Sequence, residues 1–149
     1  MALATDELRS LLNSYEPDFR KLAAVLQPDD LPQLVELVRG DNRVLAARAA
    51  YAITLVHDEA AVEALNTAAT SSTDTVRIAA ASGLKHLKGF DVTELAQRLL
   101  ADEDLGVRKL AIKSAKELGI DALKPALEAV ASNDAEPALR DLANEALQA

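Results

Sequence analysis

Cysteine is absent from this chain of 149 residues, and so is tryptophan. Without a thiol there can be no disulfide, no thiolate nucleophile and no Cys-ligated zinc. Aromatic residues of all kinds make up 3% of the sequence, and glycine and proline number five each. So few turn residues leave little from which to build the tight hairpins of an all-β protein. No stretch approaches 18 uncharged apolar residues, so no membrane-spanning helix is expected. Met1 to Asp6 offers no basic segment followed by an apolar core; a secretory signal is therefore not expected, and a cytoplasmic location is. Positive charge is also in short supply, with 16 Lys and Arg against 24 Asp and Glu, a net charge of −8. Nucleic acids and anionic membranes are bound through clustered Lys and Arg, so neither is an expected partner.

What the chain does contain is alanine and leucine. Half of it is apolar, and those two residues, both strong helix formers, dominate. The length suits one domain, taken as residues 1–149, with a core of its own. Four segments align within it: Leu45–Ile53, Val76–Leu84, Val107–Ala115 and Leu139–Leu147, with first residues 31, 31 and 32 positions apart. Apolar or small residues recur at their first, fifth, eighth and ninth places, the spacing of one helix face. The fifth column holds Ala49, Ala80, Ala111 and Ala143; the eighth holds Ala52, Gly83, Ser114 and Ala146. Side chains this small predict closely packed helices. Repeats of this length that cannot cover their own apolar faces predict a stacked α-solenoid.

Between these helices the sequence predicts four others, each headed by an aspartate: Asp30, Asp58, Asp91 and Asp121. An aspartate there accepts from free first-turn N–H groups and suits the positive end of the helix dipole. Caps for the recurrent helices are expected at Asn42, Thr73 and Asp104, with the poorer Glu136 in the last. Residues 1–28 fit less well. Thr5 is the expected cap of a helix to about Ser14, and Glu16-Pro17-Asp18 starts another whose Phe19-Arg20-Lys21-Leu22-Ala23-Ala24 echoes the repeat. This is a degenerate terminal repeat ahead of regular ones over 29–149, giving ten helices in five pairs.

The run Asp102-Glu103-Asp104-Leu105-Gly106-Val107-Arg108-x-x-Ala111 resembles the HEAT-repeat signature, particularly the short bacterial form called PBS-lyase HEAT-like. Thr73-Asp74-Thr75-Val76-Arg77-x-x-Ala80-Ala81-x-Gly83-Leu84 is similar to it as well. The resemblance implies an all-α, right-handed α-α superhelix. The aligned columns hold an arginine row, Arg77, Arg108 and Arg140, interrupted by Ala46 in the first repeat. The resemblance implies that these pair with acids of their own or neighbouring repeats, the alternative being a row presented to a carboxylate-rich or phosphorylated partner. For function the resemblance implies a range that includes scaffolds, lyase subunits, iron-dependent hydroxylases and DNA-repair glycosylases.

Of that range, the residues support little catalysis. The hydroxylases hold iron through His-Glu pairs, and this chain has only His57-Asp58 and an isolated His86. Asp102-Glu103-Asp104 with Gly106 departs from a calcium loop: the glycine comes one place early and no bidentate glutamate follows. Neither a glycine-rich phosphate loop nor a nucleophile elbow is present. The expected chain is therefore not an enzyme, with no catalytic residue, metal or cofactor. It is expected to be a scaffold that binds another protein along its concave face; the alternative is a phycobilin-lyase-like or chaperone-like accessory to a chromophore-bearing client. If the Asp-headed helices line that face, the contacts are Gln33, Glu36, Glu63, Asn66, Glu94, Gln97, Arg98, Lys124 and Glu128, and they fit a partner with basic or polar residues. Tyr51, whose column also holds Ser82, Lys113 and Glu145, is expected to face solvent and join them, since exposed tyrosine is enriched at binding sites. Asn144 and Glu145 break up the apolar columns of the last helix, which favours a monomer.

Overall fold

Apolar residues three and four apart need a second helix to cover them, and the chain satisfies that need locally, pair by pair. The computed structural model describes residues 1–149 and contains ten α-helices and no strands. They are α1 (Thr5–Leu12), α2 (Phe19–Val25), α3 (Leu31–Arg39), α4 (Arg43–Ile53), α5 (Glu59–Ala69), α6 (Asp74–Gly83), α7 (Thr93–Leu100), α8 (Leu105–Leu118), α9 (Lys124–Asn133) and α10 (Pro137–Gln148). Short 3-10 turns lie at Pro28–Asp30, Leu84–Leu87 and Asp121–Leu123. The aligned segments are α4, α6, α8 and α10, which pack in succession, while α3, α5, α7 and α9 form the second layer. A continuous core runs from Leu8 to Ala146.

The two layers differ in spacing. Ala49, Ala80, Ala111 and Ala143 are fully buried between even-numbered helices, which contact one another more extensively than the odd-numbered ones do. The Ser114 hydroxyl donates to the Ala81 carbonyl at 2.6 Å, pinning α8 to α6. We refer to this more closely packed even layer as the inner layer and to the odd layer as the outer one. Small residues mark the contacts within this layer.

Caps follow the sequence at Asn42, Asp58, Asp104 and Asp18, whose side chains accept from the Leu45, Ala60, Val107 and Lys21 amides. Thr5, Thr73 and Glu136 make no such bond. Asp91 accepts from Thr93 N at 3.1 Å from one residue ahead of the helix's N-cap, Val92, and Asp121 opens a 3-10 turn instead of α9.

Asp30 departs furthest from its expected part. It is wholly buried, and its carboxylate accepts from Leu3 N at 2.6 Å and Gln27 N at 2.8 Å. Gln33 completes this strap, donating through Nε2 to the Leu3 carbonyl at 2.7 Å. Gln33 is thus a tether for the N-terminal segment and not a free contact residue. Asp30→Ala strands two amides, and the expected result is a loss of about 1–3 kcal/mol. Hydrogen exchange should show protection falling first at the backbone of α1.

Candidate functional site

The arginine row is an ion-pair ladder. The Arg77 guanidinium donates to both Asp102 carboxylate oxygens, at 2.9 and 3.2 Å, and to the Ser71 carbonyl at 2.9 Å. Arg108 repeats this geometry on Asp134, at 2.7 and 3.1 Å, and on the Asp102 carbonyl at 3.0 Å. Arg140 keeps only the carbonyl contact, to Asp134 at 2.6 Å. Each pair staples one repeat to the loop of the next in a nearly dry setting, where fork geometry is strongest. The hydrogen bond from Arg108 holds the Asp134 carboxyl below the usual aspartate range, against the opposing effect of burial. Asp102 also fixes the Asp104 amide, and Asp104 caps α8, so the acids that faintly resembled a calcium loop are committed to structure.

The first repeat substitutes a different staple. Ala46 and Ser71 occupy the positions that Arg77 and Asp102 hold one repeat later, so both members of the pair are missing together. Arg48, two residues on, instead donates to the carbonyls of Leu12 and Ser14 at 2.9 and 2.7 Å, tying α4 to the α1–α2 loop. Sequence reading saw the gap at Ala46 and missed Arg48, which lies outside the column.

On the outer layer, three of the expected contact residues come together. Glu63, Asn66 and Glu94 line a cleft of about 440 Å³ with Glu59, Phe90 and Asp91 between α5 and the start of α7. Gln97 faces a different groove of about 280 Å³, mostly apolar, between α7 and α9. Glu36 lies beside Arg39 at 3.8 Å and Lys124 beside Asp121 at 3.4 Å, both exposed. Arg98 and Glu128 are exposed as well. The row therefore divides into one acidic cleft and scattered surface positions.

Tyr51 sits apart from all of these, on the inner layer, and it is half-buried, not free. Its ring meets Phe19 edge-on at 4.9 Å, and its hydroxyl lies 2.9 Å from His86 Nε2. Burial raises the Tyr51 pKa; burial, aided by the Lys85 charge, lowers that of His86. The column comparison gives the right face of α4. It does not register that Phe19 of α2 and His86 of the next repeat cover the ring. Neither histidine was credited with a contact in the sequence, yet His57 meets Phe90 edge-on at 4.9 Å on the opposite layer.

Around Tyr51 the inner surface changes character from helix to helix. Positions spaced three and then four residues apart hold Val44, Ala47 and Tyr51 on α4; Thr75, Ile78 and Ser82 on α6; Gly106, Lys109 and Lys113 on α8; and Ala138, Asp141 and Glu145 on α10. Val44 is 59% exposed. Both lysines are exposed, and neither has a carboxylate oxygen within 4.0 Å.

Comparison with known proteins gives two findings. A family model described as HEAT repeats matches residues 70–148. Among solved structures, 22 chains match. One belongs to the complex of CpcE and CpcF of phycocyanin lyase from Nostoc sp. PCC7120, at 23% identity and a TM-score of 0.74, with 98% of each chain covered. No curated protein sequence matches. The likeness overturns the expectation that the chain is not an enzyme. A solenoid of the same extent occurs in a complex named as a lyase, so the lack of a catalytic triad or metal-ligand set in the sequence is no ground for exclusion.

Proposed function

Because the chain belongs to the HEAT-repeat family, we propose that it is a lyase-like accessory protein acting on a chromophore-bearing client protein, which it engages through its helical surface. The observation carrying this reading is the end-to-end correspondence of fold with a chain of the phycocyanin lyase complex, 98% of both chains at a TM-score of 0.74. A correspondence confined to a pair of repeats would support only a shared building block. Repeat solenoids also suit the task physically, since stacked units present an extended, rigid surface to a folded partner. The match is to one chain of an assembly of two proteins, so a second, companion subunit is part of the reading.

The test is to mix the purified chain with apo-phycocyanin and phycocyanobilin, following absorbance for bound chromophore and sedimentation for complex formation. The expected result is a complex with the apoprotein and a change in the rate or yield of chromophore attachment, in either direction. Neither complex nor change, with the chain alone and again with a CpcE- or CpcF-type companion, would end the proposal.

A further inference from the structure

We propose that the inner surface of α4, α6, α8 and α10 is a docking track for an amphipathic helix of a partner protein, laid along the stack and read in a fixed direction. The partner helix presents apolar residues to α4 and α6, carboxylates to α8 and basic residues to α10.

Three observations carry this. The first is the banding itself: apolar and aromatic at Val44 and Tyr51, apolar at Ile78, cationic at Lys109 and Lys113, anionic at Asp141 and Glu145. The structural repeat keeps these positions in register, so the bands lie side by side across packed helices. Second, the lysines stand four residues apart on one helix face, where like charges repel. In a chain of net charge −8 there is no shortage of acids to neutralise them, yet no carboxylate oxygen lies within ion-pairing distance of either. A partner carboxylate supplies what the fold leaves open. Third, Tyr51 is already held by Phe19 and by the 2.9 Å contact with His86, so little side-chain freedom is lost when a partner covers it. Aromatic side chains held in this way are typical anchors of interfaces.

Spacing fixes the form of the partner. Packed helices lie about 8–10 Å apart, and a helix rises about 1.5 Å per residue, so a helix crossing them meets a new band about every five to seven residues. The upper end of that range approaches a heptad, so about four heptads, roughly 28 residues, carry one face reading apolar, apolar, acidic and basic in turn. The α10 acids make the track directional: a helix lying the other way puts its basic residues on α4 and its apolar ones on the charges.

This deepens the client-binding reading by naming a face and a partner chemistry, and its test does not need the client. A fluorescein-labelled helical peptide of about 28 residues, with Leu, Leu, Glu and Lys on one face in successive heptads, is titrated with the full chain and read by polarisation. Binding that weakens with added salt is expected. Lys109→Glu with Lys113→Glu should weaken it at least tenfold while leaving circular dichroism unchanged, because both side chains are exposed. Exchanging the peptide's Glu for Lys should restore the affinity for that variant. The proposal is overturned if the wild-type chain does not bind the peptide. It is equally overturned if a peptide with the heptad order reversed binds as well, or if the charge exchange brings no rescue. Concentration-dependent self-association of the wild type, abolished by the double lysine variant, would assign the face to a second copy and overturn the partner-helix reading. A client that fails to bind in the earlier assay would leave these outcomes untouched.

Discussion

Gly83→Ala is expected to destabilise the chain by about 1–3 kcal/mol, although alanine is ordinarily favoured over glycine inside a helix by about 1 kcal/mol. The sign turns on Thr54. A methyl carbon built on Gly83 falls 2.7 Å from the Thr54 Cγ2 and 2.9 Å from its Cβ, with the hydroxyl oxygen closer still. Thr54 is itself 1% exposed, and its hydroxyl donates to the Tyr51 carbonyl, so it has no room to turn away. Accommodating the methyl means moving α6 against α4, the most extensive contact between helices of the inner layer. Urea unfolding should show a lower midpoint with an unchanged slope, the mark of altered stability without altered compactness. Thr54→Ala removes the two crowding atoms beyond Cβ. The double variant should therefore be more stable than the sum of the single changes, a positive coupling of the kind neighbouring residues show. A Gly83→Ala variant as stable as the wild type would mean that α4 and α6 leave room for a methyl group at this contact.

That crowding was legible in the sequence, because Ala52, Gly83, Ser114 and Ala146 share one column whatever their tertiary surroundings. The repeat, the helix pairing and the caps at Asp18, Asn42, Asp58 and Asp104 were legible for the same reason: period and local spacing decide them. What was hidden depended on segments distant in the chain. Gln33 has the helical phase of a surface residue, but residues 1–4 fold back over it and Leu3 takes its amide. Asp30 looks like a cap until that same strap makes it a buried acceptor. Tyr51 points away from its own helix's core and is then covered from both sides. The acid partners of the arginines lie 25 and 26 residues downstream, a separation at which sequence spacing alone does not single out one aspartate among several. The division into an acidic outer cleft and a banded inner face likewise appears only once the layers are assigned.

Arg108→Ala is expected to have the largest effect of any single change, a loss of about 3–5 kcal/mol, because it leaves the Asp134 charge buried without its partner. The Asp134 side chain is 4% exposed and that of Arg108 17%. The arginine does more than neutralise, however, since it also donates to the Asp102 and Glu103 carbonyls at 3.0 Å each. Replacing both partners with apolar residues, Arg108→Met with Asp134→Leu, should therefore recover only part of the loss. The charge penalty disappears in that pair, but two loop carbonyls lose their donor. Acid provides an independent readout. The folded-state pKa of Asp134 lies below its ordinary 3.8, chiefly through the hydrogen bond from Arg108, so the unfolded chain takes up this proton first. The stabilisation is fully present above the ordinary aspartate pKa and drains away as pH falls through the depressed folded value. Asp134→Asn should flatten the stability profile in that acid range while lowering stability at neutral pH. If instead the Asn variant kept the wild-type acid slope and matched it at pH 7, the ladder would be an ornament of the repeat and not what fastens one layer to the next.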